Sequence, residues 1–365
     1  MSVADVERSR EKKIFPTLIG NDPLRSRLGE DILSSSLSHA YIIDGKKGSG
    51  KHTAAMLIAA SLSCENKDSP HHALPCGECP SCKKILSGKS PDVILVKRDD
   101  KKSSITVDTV RELKNSVIIT PNDTEYKVYI IEDADTMNVQ AQNAFLLTLE
   151  EPPKYVLFLL LCENSGLLLE TVRSRAATLR TEPTDREKIS EYLLNRCDNS
   201  EVRERANELK RTSPEEFSKL LLLSDSSIGQ AVDLLDEKTR NPILKNREFA
   251  SELILAMSDR RGAEKLLALI ATASGKREET VEQLTLTQKA LRDMTLIKRS
   301  DTAPMIFFTS REEAASLASS FTLPDLMFAY DAIAETKSSL SGNANVRLAL
   351  INFAVKIKTR NNKSN

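Results

Sequence analysis

Tryptophan is absent from the 365 residues, and aromatic residues make up only 4% of them. So few rings argue against a platform on which nucleobases stack. Net charge is absent too, since 52 Lys and Arg balance 52 Asp and Glu; a basic surface for nucleic acid would have to be local. No apolar run is long enough to span a bilayer. The most apolar stretch, "YVLFLLLC" from Tyr155, has the length of a buried strand. "MSVADVERSREKK" is charged from its fifth residue and carries no apolar signal region. There is neither an internal repeat nor a low-complexity segment. These absences lead us to expect a soluble cytoplasmic protein with no membrane partner. The length leaves room for two or three domains, each with its own core.

What is present has a clear order. Strand-length apolar runs alternate with helical patterns at 39–44, 91–98, 127–133, 155–163 and 176–181. Near-continuous apolar strands separated by helices indicate a parallel sheet covered on both faces. After Thr181 the strand pattern stops. "PTDREKISEYLLNRC" has helical spacing, and two more helices are expected before Glu237. "TRNPILKN" (239–246) carries Asn-Pro and reads as a turn and a boundary. Everything beyond reads as helix, and the last, "NVRLALINFAVKIKTR", has apolar residues along one face. The expected order is an α/β module over 1–181, a small helical module over 182–240 and an all-α module over 241–365.

"DGKKGSGKHTAA" sits after the first strand and opens a helix. Gly45, Gly48 and Gly50 let the backbone curl so that N–H groups face phosphate, and the helix N-terminus adds a favourable dipole. Lys51 would reach the β- and γ-phosphates. The next position normally holds a Ser or Thr hydroxyl on magnesium; here it is His52. An imidazole does not replace a small hydroxyl in the oxygen shell that magnesium prefers. Thr53 has the hydroxyl but lies about 100° further round the helix. A second acidic motif, "KVYIIEDADTM", ends its strand in Glu132-Asp133, where an ATPase strand of this class ends in Asp-Glu. A misplacement of about 1 Å in such a site can cost on the order of a hundredfold in rate. The plainer reading is that these acids cap the next helix or face solvent.

Cys64, Cys76, Cys79 and Cys82 form a C-x11-C-x2-C-x2-C cluster. Four thiolates can surround Zn²⁺ in a closed, structural site. Disulfides are the rival and are disfavoured in a cytosolic chain. His71 and His72 lie between the cysteines but are not needed as ligands; Cys162 and Cys197 read as core residues.

These blocks carry a family resemblance. "FPTLIGND" (15–22), "SHAYIIDGKKGSGK", the cysteine cluster, "ITVDTVRELKNSVIITP", "KVYIIEDADTMNVQAQNAFLLTLEEPP" and "TVRSRA" follow one another in the order found in AAA+ clamp-loader subunits of bacterial DNA polymerase III. The chain resembles that family, and within it the delta-prime branch, related to gamma/tau. The resemblance implies an AAA+ P-loop domain with a zinc module at about 64–82, then a helical lid and a helical C-terminal collar that joins subunits. It implies partners: gamma/tau and delta subunits, indirectly the sliding clamp, and primed DNA. Arg175, in "SRA" where the family has "SRC", would act as an arginine finger in a neighbour's ATP site. The motor's γ-phosphate-sensing Thr is replaced by Cys162 or Glu163, and its lid Arg aligns with Gly229. With His52 and Glu132-Asp133, these departures imply a subunit without ATP turnover that could still hold ATP or ADP; an active gamma/tau-type motor is the alternative. A stand-alone P-loop phosphotransferase is a third class, but no substrate-binding acids or lid arginines are recognisable. On the helix after Asp108, read as its N-cap, Arg111 and Lys114 share a face. In related loaders such helices hold template phosphates; a plain solvated face is the competing reading.

Overall fold

A computed structural model describes residues 13–99, 104–259, 263–273, 275–300, 302–342 and 344–363. The charged first twelve residues lie outside them. The chain divides into two compact units. One runs to Cys197 and takes in Ser226–Gln230; the other holds Asp198–Asp225 and the chain from Ala231 on.

In the first unit the five expected strands form one parallel sheet. They are β1 (Ala40–Asp44), β2 (Val93–Val96), β3 (Lys127–Ile131), β4 (Val156–Cys162) and β5 (Ala177–Arg180), in the order β2-β3-β4-β1-β5. The central three are continuous apolar runs because both faces are covered. Tyr41 and Ile43 point into one core with Leu28, Ile32 and Ile58. Ala40 and Ile42 point into the other with Val110, Phe145 and Phe158. The register sets Asp44 beside Cys162, and Ile131 beside Leu160. The loops after β1, β3 and β4 therefore leave the same edge of the sheet, at the carboxyl ends where open α/β sheets place ligands.

The helical expectations need two corrections. Three helices, not two, lie between Cys197 and Glu237: Ser200–Thr212, Pro214–Leu223 and Ile228–Asp233. Pro214 at the first position of its helix ends the preceding one. The Asn-Pro turn expected at 239–246 does not form. A single helix runs Glu237–Ser258 with Pro242 inside it. Asp236 caps this helix through Lys238 N–H, and Ala250, Leu253, Ile254 and Met257 are buried further along. That burial outweighs the one backbone bond that Pro242 cannot donate.

The second unit buries these residues with Leu291, Met294, Phe307, Ile333 and Phe353. Its last helix, Val346–Lys363, buries Leu350, Phe353, Ala354 and Ile357. It also leaves Leu348, Ile351 and Val355 exposed, so it carries two apolar stripes rather than the expected one. Among the described residues no helix is long and apolar enough to cross a membrane.

Candidate functional site

The loop from Gly45 to Gly50 joins β1 to the helix Lys51–Leu62. Gly48 and Gly50 take φ of 73° and 91°, a left-handed backbone that glycine adopts without steric cost. The loop is fastened on several sides. Gly45 N–H donates to the Cys162 carbonyl at 3.0 Å, and Thr181 Oγ1 donates to Ser49 Oγ at 2.8 Å. From the segment Ser226–Gln230, Ser227 Oγ donates to the Lys47 carbonyl at 2.9 Å and Gly229 N–H to the Gly48 carbonyl at 3.0 Å. A Cβ on Gly229 would lie 2.6 Å from Gly48 Cα, so glycine is required there by close approach. Lys51 Nζ folds back onto the carbonyls of Gly45 and Lys46. Burial pushes the Lys51 pKa below its ordinary value, against the pull of Glu163 and Asp135.

His52, at the position of the usual magnesium hydroxyl, meets the acidic motif directly. Its Nδ1 lies 2.8 Å from Glu132 Oε1, while Lys97 Nζ lies 3.0 Å from Glu132 Oε2. Lys97 was not singled out from the sequence. Sheet register supplies it: Val96 pairs with Ile131, and Glu132 N–H donates to the Val96 carbonyl at 2.9 Å. Two in-line strands ending "VK" and "IE" would have been the signal. Thr53 and Asp133 are exposed, and Asp133 makes no side-chain cap bond to the turn it begins. Asp135 instead accepts from the N–H groups of Glu163 and Asn164, at 3.0 Å each. Cys162 is buried; burial, then Asp135 and Asp44, push its thiol pKa up to about 12. It therefore stays neutral in the sheet, and Cys197 is also buried.

The cysteine cluster assembles as spaced. The Sγ atoms of Cys64, Cys76, Cys79 and Cys82 lie within 4.8 Å of one another. Cys76 and Cys82 Sγ are 3.9 Å apart, against about 3.8 Å for two thiolates sharing a tetrahedral Zn²⁺. Cys79 N–H donates to Cys76 Sγ and Cys82 N–H to Cys79 Sγ, both at 3.4 Å. Burial would raise the Cys76 pKa, but the N–H groups of Cys79 and Glu78 and the Asn66 amide lower it to about 6. Burial pushes Cys64 and Cys82 up. Donor set, spacing and N–H···S bonds fit a closed four-thiolate metal site. His72 Nδ1 is instead engaged by Ser69 Oγ at 3.0 Å.

Arg175 follows the short helix Glu170–Arg173. Its Nη2 donates to Glu150 at 2.7 Å, and its Nη1 donates to the Thr171 carbonyl at 3.0 Å. Glu150, the end of the "TLE" helix, was also missed from the sequence. Arg111 and Lys114 are both exposed on the helix Val107–Val117, while Val110, Leu113 and Val117 hold its other face inside. Asp108 is not the N-cap, which falls at Thr106; it lies in the first turn and pairs with Arg111 at 3.0 Å.

A phosphate-type loop at the carboxyl edge of a five-stranded parallel sheet, covered on both faces, defines an α/β P-loop protein. Within that class, residues 20–185 match the family described as "DNA polymerase III, delta subunit". The chain is 28% identical over 368 residues to the subunit tau/gamma of Haemophilus influenzae, covering 95% of this chain and 50% of that protein. It is 29% identical over 322 residues to the subunit delta' of Bacillus subtilis, covering 88% and 91%. It thus spans about half the tau/gamma relative but nearly all of the delta' relative. A solved Thermotoga maritima protein related to the gamma subunit aligns over 92% of this chain and 99% of its own, at 18% identity and a TM-score of 0.42.

Proposed function

We propose that this chain is a delta-prime-type clamp-loader subunit. It helps place a sliding clamp on primed DNA and does not itself turn over ATP. The carrying observation is Glu132, whose two oxygens face His52 and Lys97 where an active site would need them for magnesium and water. The near-complete coverage of a delta' relative supports the same branch. In this reading Arg175 leaves Glu150 to stabilise charge on the phosphate of a neighbouring ATPase subunit. The cysteine cluster holds one structural Zn²⁺, and the unaltered glycines and Lys51 allow ATP or ADP to be held without hydrolysis. Residues 182–240 act as the lid and 241–365 as the collar that joins gamma/tau and delta partners. Arg111 and Lys114 offer charge to template phosphates, and the protein works in the cytoplasm.

Two substitutions in the reconstituted assembly test this. Lys51→Ala should change DNA-stimulated ATP turnover by less than about twofold. Arg175→Ala should remove turnover at one interface, since an arginine finger is worth about three orders of magnitude. Competent interfaces elsewhere would limit the total fall to severalfold. Arg175→Lys should not rescue it, because an ammonium lacks the planar fork of donors. A crippling Lys51→Ala with a silent Arg175→Ala would make this chain a gamma/tau-type motor instead.

A further inference from the structure

The acid that ends β3 serves a magnesium ion only if its oxygens can reach the ion or its water shell. Magnesium demands oxygen ligands in a near-octahedral shell at about 2.1 Å. Neither oxygen of Glu132 is free: His52 Nδ1 stands 2.8 Å from one and Lys97 Nζ stands 3.0 Å from the other. His52 also takes the position that would have supplied the hydroxyl ligand. Sheet pairing brings Lys97 to this place, because β2 and β3 end level with each other. The residues present therefore do not fit a magnesium ion. What they place on the acid instead is an ammonium, from Lys97, and an imidazole, from His52. Lys51, at the end of the loop, supplies a further ammonium. The Lys51 ammonium rests on the carbonyls of Gly45 and Lys46, contacts that phosphate oxygens can replace.

We propose that Lys97 and His52 occupy the acid that a divalent cation would need, so that this loop holds a nucleoside polyphosphate without magnesium. The inference rests on reading residues 45–51 as a phosphate cradle and is independent of Arg175. It adds to the absence of turnover a reason and a residue: the metal is displaced by the chain's own side chains, with Lys97 among them.

The test uses the purified full chain, with ADP and Mn²⁺ as probes. Calorimetric titration of ADP should give the same affinity, within about twofold, in Mg²⁺ and in EDTA. Electron paramagnetic resonance of free Mn²⁺ in the presence of ADP should show no protein-bound metal. A folded Lys97→Ala, His52→Ser double variant should take up one Mn²⁺ with ADP and bind ADP more tightly in Mg²⁺ than in EDTA. Affinity of the unaltered chain that rises tenfold or more with Mg²⁺ would overturn the proposal. So would a double variant that keeps the native circular dichroism yet gains no metal, or an unaltered chain that takes up no ADP in either buffer. ATP hydrolysis by the isolated chain would defeat the delta-prime reading instead. Magnesium-dependent ADP binding without hydrolysis would defeat this inference alone.

Discussion

Gly229→Ala sets two effects of opposite sign against each other. Gly229 lies in the helix Ile228–Asp233, where an exposed alanine would be favoured over glycine by about 1 kcal/mol. Its Cβ, however, would meet Gly48 Cα at 2.6 Å and the Gly48 carbonyl oxygen at 3.1 Å. Both are backbone atoms that cannot swing aside like the tip of a flexible side chain. Relieving the overlap moves the segment away from the loop by about 1 Å, since carbon pairs rest at about 3.5–4 Å. That stretches two hydrogen bonds, Gly229 N–H to the Gly48 carbonyl and Ser227 Oγ to the Lys47 carbonyl. At about 1 kcal/mol each they outweigh the propensity gain, in keeping with about 1–3 kcal/mol for overpacking. We expect net destabilisation of about 1–2 kcal/mol, and a melting transition lower by several degrees for a unit of this size. Hydrogen exchange at Gly48–Lys51 should quicken at the same time, because the loop loses its cover. A transition that rises, with exchange at the loop unchanged, would refute the close approach.

Two further outcomes follow from buried groups. Asp92 is buried and accepts from the N–H groups of Asn122, Asp123 and Thr124 at 2.7, 2.8 and 3.0 Å, and from Thr124 Oγ1 at 3.1 Å. Burial alone would raise its pKa, but these donors hold the carboxyl below its ordinary value. Its contribution is therefore complete above the unfolded value of about 3.9 and is lost as pH falls through the lower folded value. Asp92→Asn should cost about 2–3 kcal/mol near neutral pH in urea unfolding, and the gap to the unaltered chain should narrow in acid. Cys79→Ser should abolish the one equivalent of zinc expected by elemental analysis of protein purified without added metal. The 64–82 segment should then become sensitive to protease before the sheet does, because it has little apolar material of its own.

Much of the fold was legible because the sheet is buried on both faces, which turns each strand into an apolar run without alternation. Five runs were visible, and five strands formed within a few residues of them. The cysteine cluster was legible because two C-x2-C spacings hold Cys76, Cys79 and Cys82 together, and the fold brings Cys64 to them. What failed was local punctuation set against distant packing. Asn241-Pro242 reads as a turn, yet the buried side chains from Asn246 to Met257 carry one helix straight through it. Lys97 and Glu150 were invisible for another reason: each matters only through a partner brought beside it by the fold, Glu132 for one and Arg175 for the other.

The departures around the loop look independent in the sequence, but two of them, together with Lys97, form one contact. His52 replaces a metal-binding hydroxyl, and Glu132 replaces the shorter acid; in space the two residues meet, and Lys97 completes the arrangement. Glu132 is one methylene longer than Asp, and its two oxygens meet the imidazole and the ammonium separately. A hydroxyl placed at position 52 alone would leave Lys97 on Glu132. Gly229 lies on the other side of the same loop, where its missing side chain lets the Ser226–Gln230 segment rest on Gly48. In the proposed reading, a working metal site would require simultaneous changes at positions far apart in sequence that meet at the carboxyl edge of the sheet. That coupling explains why such a loop can keep its glycines and its lysine: they maintain the close-packed turn and its covering segment, whether or not the site ever turns over a nucleotide.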